Sequence, residues 1–103
     1  QFRLVTDPPW GERSHWLNAI ILNKDEEENI DNLINELRKV KIRANYFWKP
    51  LHLQKPYSNH LQANLKSLND IQNKILVLPS SSNLNIADQE RVINAITTYF
   101  YNK

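Results

Sequence analysis

Among the side chains of this 103-residue sequence, the three histidines His15, His52 and His60 offer the widest range of chemistry, from proton transfer to metal ligation. None has a second histidine or a carboxylate three or four positions later, the spacing that sets two metal ligands on one helical face, so a metal site is not expected. The run Ser80-Ser81-Ser82 offers hydroxyls, but it lacks the Gly-x-Ser-x-Gly elbow that exposes a nucleophile, and serines of this kind are common in turns. Gly11 is the single glycine, which excludes a Walker loop or a dinucleotide fingerprint, both of which need clustered glycines to bring backbone amides against phosphate. With no cysteine there is neither a disulfide framework nor a thiolate metal site.

The densest group of hydrogen-bonding side chains lies between residues 43 and 57, where Arg43, Lys49, His52, Gln54, Lys55 and Tyr57 follow one another around Pro50 and Pro56. The spacing reads as a strand running into a proline-bounded loop, and strand-end loops are where binding groups concentrate. A lone loop histidine is more often a surface or core residue than a catalytic one, so the stretch by itself does not assign a function.

The elements that position this loop can be read around it. Residues 16 to 22 form a nearly continuous apolar run that suits a strand buried on both faces. Asn23-Lys24 read as a turn. Asp25 with Glu28 forms a capping-box-like start to a helix in which Ile30, Leu33, Ile34, Leu37 and Val40 recur at helical spacing, with Arg38, Lys39 and Lys41 complementing the C-terminal dipole. Residues 42 to 48 read as a second strand, 59 to 73 as a polar helix, and Ile75 to Leu78 as a third strand ended by Pro79. Asn85 is placed to cap a last helix lined by Val92, Ile93, Ile96, Tyr99 and Phe100. The expected fold is therefore α/β (α+β), a two-layer small domain of about three strands in β-α-β-α-β-α order, with helices packed on one face. Propensity leaves strand direction open. The other sheet face would be exposed or covered by something outside this sequence, and Trp10, Trp16 and Trp48 are candidates for that surface. Core packing is the competing reading, for Trp16 above all.

A chain this long forms one domain with a modest core. Asp7-Pro8-Pro9-Trp10-Gly11-Glu12-Arg13 reads as a connector, so residues 1–14 are expected to lead in from another domain and 15–103 to fold. No apolar run approaches the roughly 20 residues that span a bilayer, and no signal peptide is evident, so no membrane partner and a cytoplasmic location are expected. The net charge of +2 does not demand a polyanion, and six of the eleven acids fall between Asp25 and Glu36, as on a solvated helix face.

Trp48-Lys49-Pro50-Leu51-His52-Leu53-Gln54, followed by Tyr57, resembles the Pro-Leu-His-x-Gln segment in the small C-terminal domain of DegT/DnrJ-type sugar aminotransferases, which use pyridoxal phosphate (PLP). His15 to Leu22 resembles that domain's first strand, the helix ending at Val40-Lys41-Ile42 resembles the segment before its second, and Ile75 to Pro79 with the final helix resembles its close. The resemblance covers nearly the whole chain. It implies a fold-type I enzyme in which a larger N-terminal domain holds PLP on a lysine and the site forms in a homodimer. The amino group passes from a donor such as glutamate to the keto carbon of a nucleotide-linked 4-keto-6-deoxy sugar.

On that resemblance, His52 faces cofactor and sugar as a hydrogen-bond donor, with Gln54, Lys49 and Trp48 shaping the wall. Asn45 stands where relatives often carry an arginine, and Arg43 lies two residues earlier on the same strand face. The cofactor lysine and the aspartate that pairs with its ring nitrogen belong to the large domain, so no catalytic residue, no bound cofactor and no activity are expected of this chain alone. Two other classes fit the residues: a free-standing α/β small-ligand or regulatory module, and single-stranded nucleic-acid binding through the basic stretch 38 to 55 with Tyr46, Phe47 and Trp48. The aminotransferase reading expects no nucleic acid as partner.

Overall fold

The computed structural model describes residues 1–23 and 29–102. These residues form a small α+β fold of four strands and three α-helices: β1 (Phe2–Leu4), β2 (Ala19–Leu22), α1 (Ile30–Lys39), β3 (Asn45–Tyr46), α2 (Lys66–Ile71), β4 (Ile75–Val77) and α3 (Ile86–Tyr101). The sheet order is β1-β2-β4-β3, and every neighbouring pair is antiparallel.

Two expectations change here. There are four strands rather than about three, and the order begins β-β, because the start of the segment read as a connector pairs with β2, Phe2 opposite Leu22 and Leu4 opposite Ile20. A three-residue strand carries too little alternation to be seen locally, and its stability comes from the partner it pairs with. Asn23 N–H donates to the Gln1 carbonyl at 2.9 Å, and the Phe2 ring stands 5.4 Å from that of Phe100, so this edge is fastened to both the sheet and α3.

Alternation along the strands sends Ile20, Leu22 and Leu76 to one face, where they meet Ile30, Leu33, Ile34 and Leu37 of α1 and Val92, Ile96 and Phe100 of α3 in a single cluster. Leu33 and Leu76 are completely enclosed, at 0% exposure. Register places Ile21 opposite Ile75 on the reverse face, and both are buried, so the expectation of a strand covered on both sides holds for residues 20 to 22. Helix α2 supplies nothing to the cluster, so two of the three helices, not all, form the packed layer.

Local chemistry sets the element ends. Asn85 caps α3, its side-chain oxygen accepting from the Asp88 N–H at 2.8 Å. Helix α1 stops in a Schellman motif. The N–H of Lys41 donates to the Arg38 carbonyl and that of Ile42 to the Leu37 carbonyl, each at 2.9 Å, and Lys41 takes φ 60°, the left-handed position usually held by glycine. That turn leaves Val40 exposed, against its expected place in the apolar stripe, and drops Ile42 into the core instead. Ile93 is likewise exposed, because α3 buries the Val92, Ile96, Phe100 row. The capping box read at Asp25 and Glu28 and the turn at Lys24 lie outside the described residues.

The other strand and helix boundaries contract. The run 16 to 22 is strand only from Ala19, since His15 turns the chain at φ 52° before Trp16. The strand read at 42 to 48 is confined to two residues, and the helix read at 59 to 73 to Lys66–Ile71, followed by a 3-10 turn. No helix among the described residues is long and apolar enough to cross a membrane.

Candidate functional site

Beyond β3 the chain leaves the sheet through Phe47, whose N–H donates to the Ile75 carbonyl at 3.3 Å, and enters the loop that the sequence singles out. Pro50 forbids continuation of the ladder, and two short 3-10 turns, Leu51–Leu53 and Lys55–Tyr57, fold the loop onto itself. The Gln54 side-chain amide donates to the Lys49 carbonyl at 2.8 Å, closing the first turn from within. His52 sits half-buried, one ring nitrogen 3.1 Å from the Asn69 side-chain oxygen of α2. Because that oxygen only accepts, the contact requires a proton on Nε2, and the neutral ring then carries its lone pair on Nδ1.

Two adjoining depressions share Pro50, Leu51 and Leu68. One, of about 440 Å³, is bordered further by His52, Tyr57 and His60. The other, also about 440 Å³, is bordered by Phe47, Trp48, Lys49, Gln54 and Gln72. Four of the six residues expected at a site, Trp48, Lys49, His52 and Gln54, therefore meet around Leu51. The remaining two, Arg43 and Asn45, border a different depression with Arg38 and Lys41 of the α1 end, about 430 Å³ in volume. His60, outside the six expected residues, joins His52, and its ring stands 6.1 Å from Tyr57. Its eight-residue separation from His52 carries no local signal; the loop's own folding makes them neighbours.

The rim of this region is apolar and exposed. Trp48 contacts Trp16 at 5.4 Å between ring centres and Phe47 at 5.7 Å, yet the two tryptophans are 62% and 66% exposed. Core packing is thus excluded for Trp16, which reaches across from the turn before β2. Leu51 and Leu61 are exposed as well. The serine run is structural: Ser80 Oγ accepts from Asn18 N–H and donates to the Leu78 carbonyl, both at 2.8 Å, tying the start of β2 to the end of β4. No cluster of three or more metal-ligating side chains occurs among the described residues.

Comparison with known proteins decides the lineage. The profile of the DegT/DnrJ/EryC1/StrS aminotransferase family matches residues 1–97. The chain belongs to this family. A solved DegT/DnrJ/EryC1/StrS aminotransferase from Brucella abortus is 31% identical, with TM-score 0.74 over 90% of this chain and 25% of that one. Two others share the fold. TlmJ, an aminotransferase from Streptoalloteichus hindustanus, is 20% identical with TM-score 0.80, covering 98% of this chain and 26% of its own. Helicobacter pylori PseC, an aminotransferase involved in the biosynthesis of pseudoaminic acid, is 23% identical with TM-score 0.74, covering 84% and 24%. The chain thus spans about a quarter of the length of the solved aminotransferases it matches. No curated protein matches the sequence.

Proposed function

We propose that this chain is the small C-terminal domain of a PLP-dependent aminotransferase acting on a nucleotide-linked 4-keto-6-deoxy sugar, and that it supplies one wall of the active site. The observation that carries this reading is the meeting of Trp48, Lys49, His52 and Gln54 around Leu51, beneath an exposed aromatic rim. In this arrangement His52, steadied by Asn69, hydrogen-bonds sugar or cofactor, while Gln54 holds the Lys49 turn in shape. Trp16 and Trp48 rest against a large domain, and the working enzyme is a homodimer. Arg43 and Asn45 stand outside this wall, in their own depression.

The residues of this chain do not by themselves fit PLP. Among the described residues no carboxylate borders either depression around Leu51, so none of them pairs there with a pyridinium nitrogen, and Lys49 lies exposed on a loop. The lysine and the carboxylate come from the large domain in this reading.

The test is amino transfer from glutamate to nucleotide-linked 4-keto-6-deoxy sugars by the full-length protein that contains this chain. Turnover is expected, with His52→Ala lowering kcat/KM by at least about tenfold. Absence of turnover with every such sugar overturns the reading. The isolated chain is expected to show neither turnover nor a stable PLP adduct by absorbance.

A further inference from the structure

Helix α2 sends no side chain into the hydrophobic cluster, so packing there does not explain its place in the fold. Its contribution is elsewhere. Leu68 borders both depressions around Leu51, and Asn69, the next residue, reaches His52. The Asn69 backbone is fixed within the helix, its N–H donating to the Leu65 carbonyl at 2.9 Å. The 3-10 turn Gln72–Lys74 then runs without a break from α2 into β4, where Leu76 is fully enclosed. His52 sits on the first turn of the loop that follows β3, the strand paired with β4. The 3.1 Å contact therefore joins two segments that are each attached to β4.

That contact decides which kind of partner His52 can take. With its Nε2 proton spent on Asn69, the neutral ring has no second N–H to give. Its remaining nitrogen, Nδ1, is an acceptor, and no other hydrogen bond among the described residues reaches the ring. An imidazolium would carry a second N–H. The depression beside His52, however, has no carboxylate among its described residues to offset that charge; its other titratable members are Tyr57 and His60, and Lys49 stands in the adjoining one.

We propose that Asn69 is the positioning residue of this wall: it holds the Nε2 proton of His52 and so presents Nδ1 to a hydrogen-bond donor, a ring hydroxyl of the sugar, rather than to a carbonyl or phosphate oxygen. The identity of the ligand rests on the aminotransferase reading; the tautomer does not. This reverses the part of donor that the resemblance gives His52, and it makes recognition depend on a residue that touches no substrate. A sugar hydroxyl can donate to Nδ1 while its oxygen accepts from another group. An oxygen without a proton would instead meet the Nδ1 lone pair and leave it unpaired, which is how a site built for a hydroxyl rejects an analogue that lacks one.

The experiment has two arms. In the chain itself, proton–nitrogen correlation spectra of the uncharged His52 ring are expected to show the Nε2–H form alone. Asn69→Leu, which keeps the size and removes the acceptor, is expected to shift the ring nitrogen resonances as the Nδ1–H form appears. Asn69 is exposed and α2 lies outside the cluster, so this variant leaves the fold intact. In the full-length protein, Asn69→Leu is expected to lower kcat/KM for a nucleotide-linked 4-keto-6-deoxy sugar about fivefold. It is expected to lower it no further once His52 is replaced by alanine, because Asn69 acts only through the ring. Among substrate analogues each lacking one ring hydroxyl, one is expected to abolish the difference between the natural protein and Asn69→Leu. A predominant Nδ1–H form, ring resonances unmoved by Asn69→Leu, an added loss on the His52→Ala background, or a difference that survives every such analogue overturns the proposal. No turnover by the natural full-length protein overturns the aminotransferase reading and the sugar as ligand with it, and the ring spectra alone then decide the role of Asn69.

Discussion

Two regions of this small domain are built to different standards. On the helix side, Ile20, Leu22 and Leu76 interlock with α1 and α3, and Leu33 and Leu76 have no contact with water. Around Leu51, by contrast, the loop after β3 is tied to helix α2 through His52 and Asn69 and closed on itself by Gln54 and Lys49, while tryptophan and leucine side chains face outward. Scattered exposed apolar residues are ordinary, but two touching tryptophans beside Phe47 and Leu51 form a patch, and patches mark surfaces that meet something. The packed side makes the domain fold, and the loose side is free to serve binding. The comparison predicts that substitutions on the two sides differ in kind: those on the helix side cost stability, those around Leu51 cost function.

The sharpest test is Leu33→Ala. Its side chain is fully enclosed at the centre of the cluster, and truncation leaves a cavity that flanking helix and sheet residues cannot collapse to fill. A loss of about 3 kcal/mol in chemical denaturation is expected. For a domain of this size that removes a large part of total stability. A loss below about 1 kcal/mol would mean that the helix side is not the stabilising one.

Next in size, and opposite in sign, is Lys41→Gly. Lys41 occupies the left-handed position of the α1 Schellman turn, where a Cβ is crowded and glycine is relaxed. The substitution is expected to stabilise the domain by about 1 kcal/mol, visible as a raised denaturation midpoint with an unchanged slope. Because Lys41 also borders the depression with Arg38 and Arg43, Lys41→Gly removes both the turn strain and a cation there. Lys41→Gln keeps the strain and removes only the cation.

How much of this was legible in the sequence follows the same division. The apolar rows of α1 and α3 announce the packed side, since Ile30, Leu33, Ile34 and Leu37 recur with the helical period, and Asn85 is a cap visible by residue type. Strand β1 was not legible, because its three residues are strand only by virtue of Leu22, Ile21 and Ile20 beside them. The shortening of the strand read at 42 to 48 has a similar cause: a helix stop at Lys41, made without glycine, gives no local signal and diverts Ile42 into the core. Around Leu51, the residue types and the prolines marked the loop, but not its grouping. That Arg43 and Asn45 part from His52 depends on β3 being the sheet edge, which is a property of topology rather than of spacing.

Trp48→Ala tests the loose side. The ring is mostly exposed, and the rings it meets, Trp16 and Phe47, are exposed too, so its removal is expected to cost no more than about 0.5 kcal/mol in this chain. In the full-length protein the same change is expected to weaken attachment of the domain and lower kcat/KM, since a face that meets a partner contributes only when the partner is present. A stability loss as large as that of Leu33→Ala would erase the distinction between the sides.

The smallest expected effect lies at the boundary between them, where Tyr46 reaches from β3 to α1. Partial shielding of its hydroxyl, then the hydrogen bond to Asp31 and the carboxylate's charge, push its pKa from the ordinary 10.0 up to about 12. The folded state therefore favours the protonated phenol. Its contribution is fully present below pH 10, and it is lost as pH rises from 10 toward 12, where the unfolded chain ionises first. With Tyr46 45% exposed, solvent screening reduces the contribution to a few tenths of a kcal/mol. Stability measured against pH should fall slightly more steeply between 10 and 12 for the natural chain than for Tyr46→Phe, which lacks the ionising group. Identical curves would show that the link between β3 and α1 is made by the Ala44 and Ile34 packing alone, and that the Tyr46–Asp31 contact is as loose as the loop around Leu51.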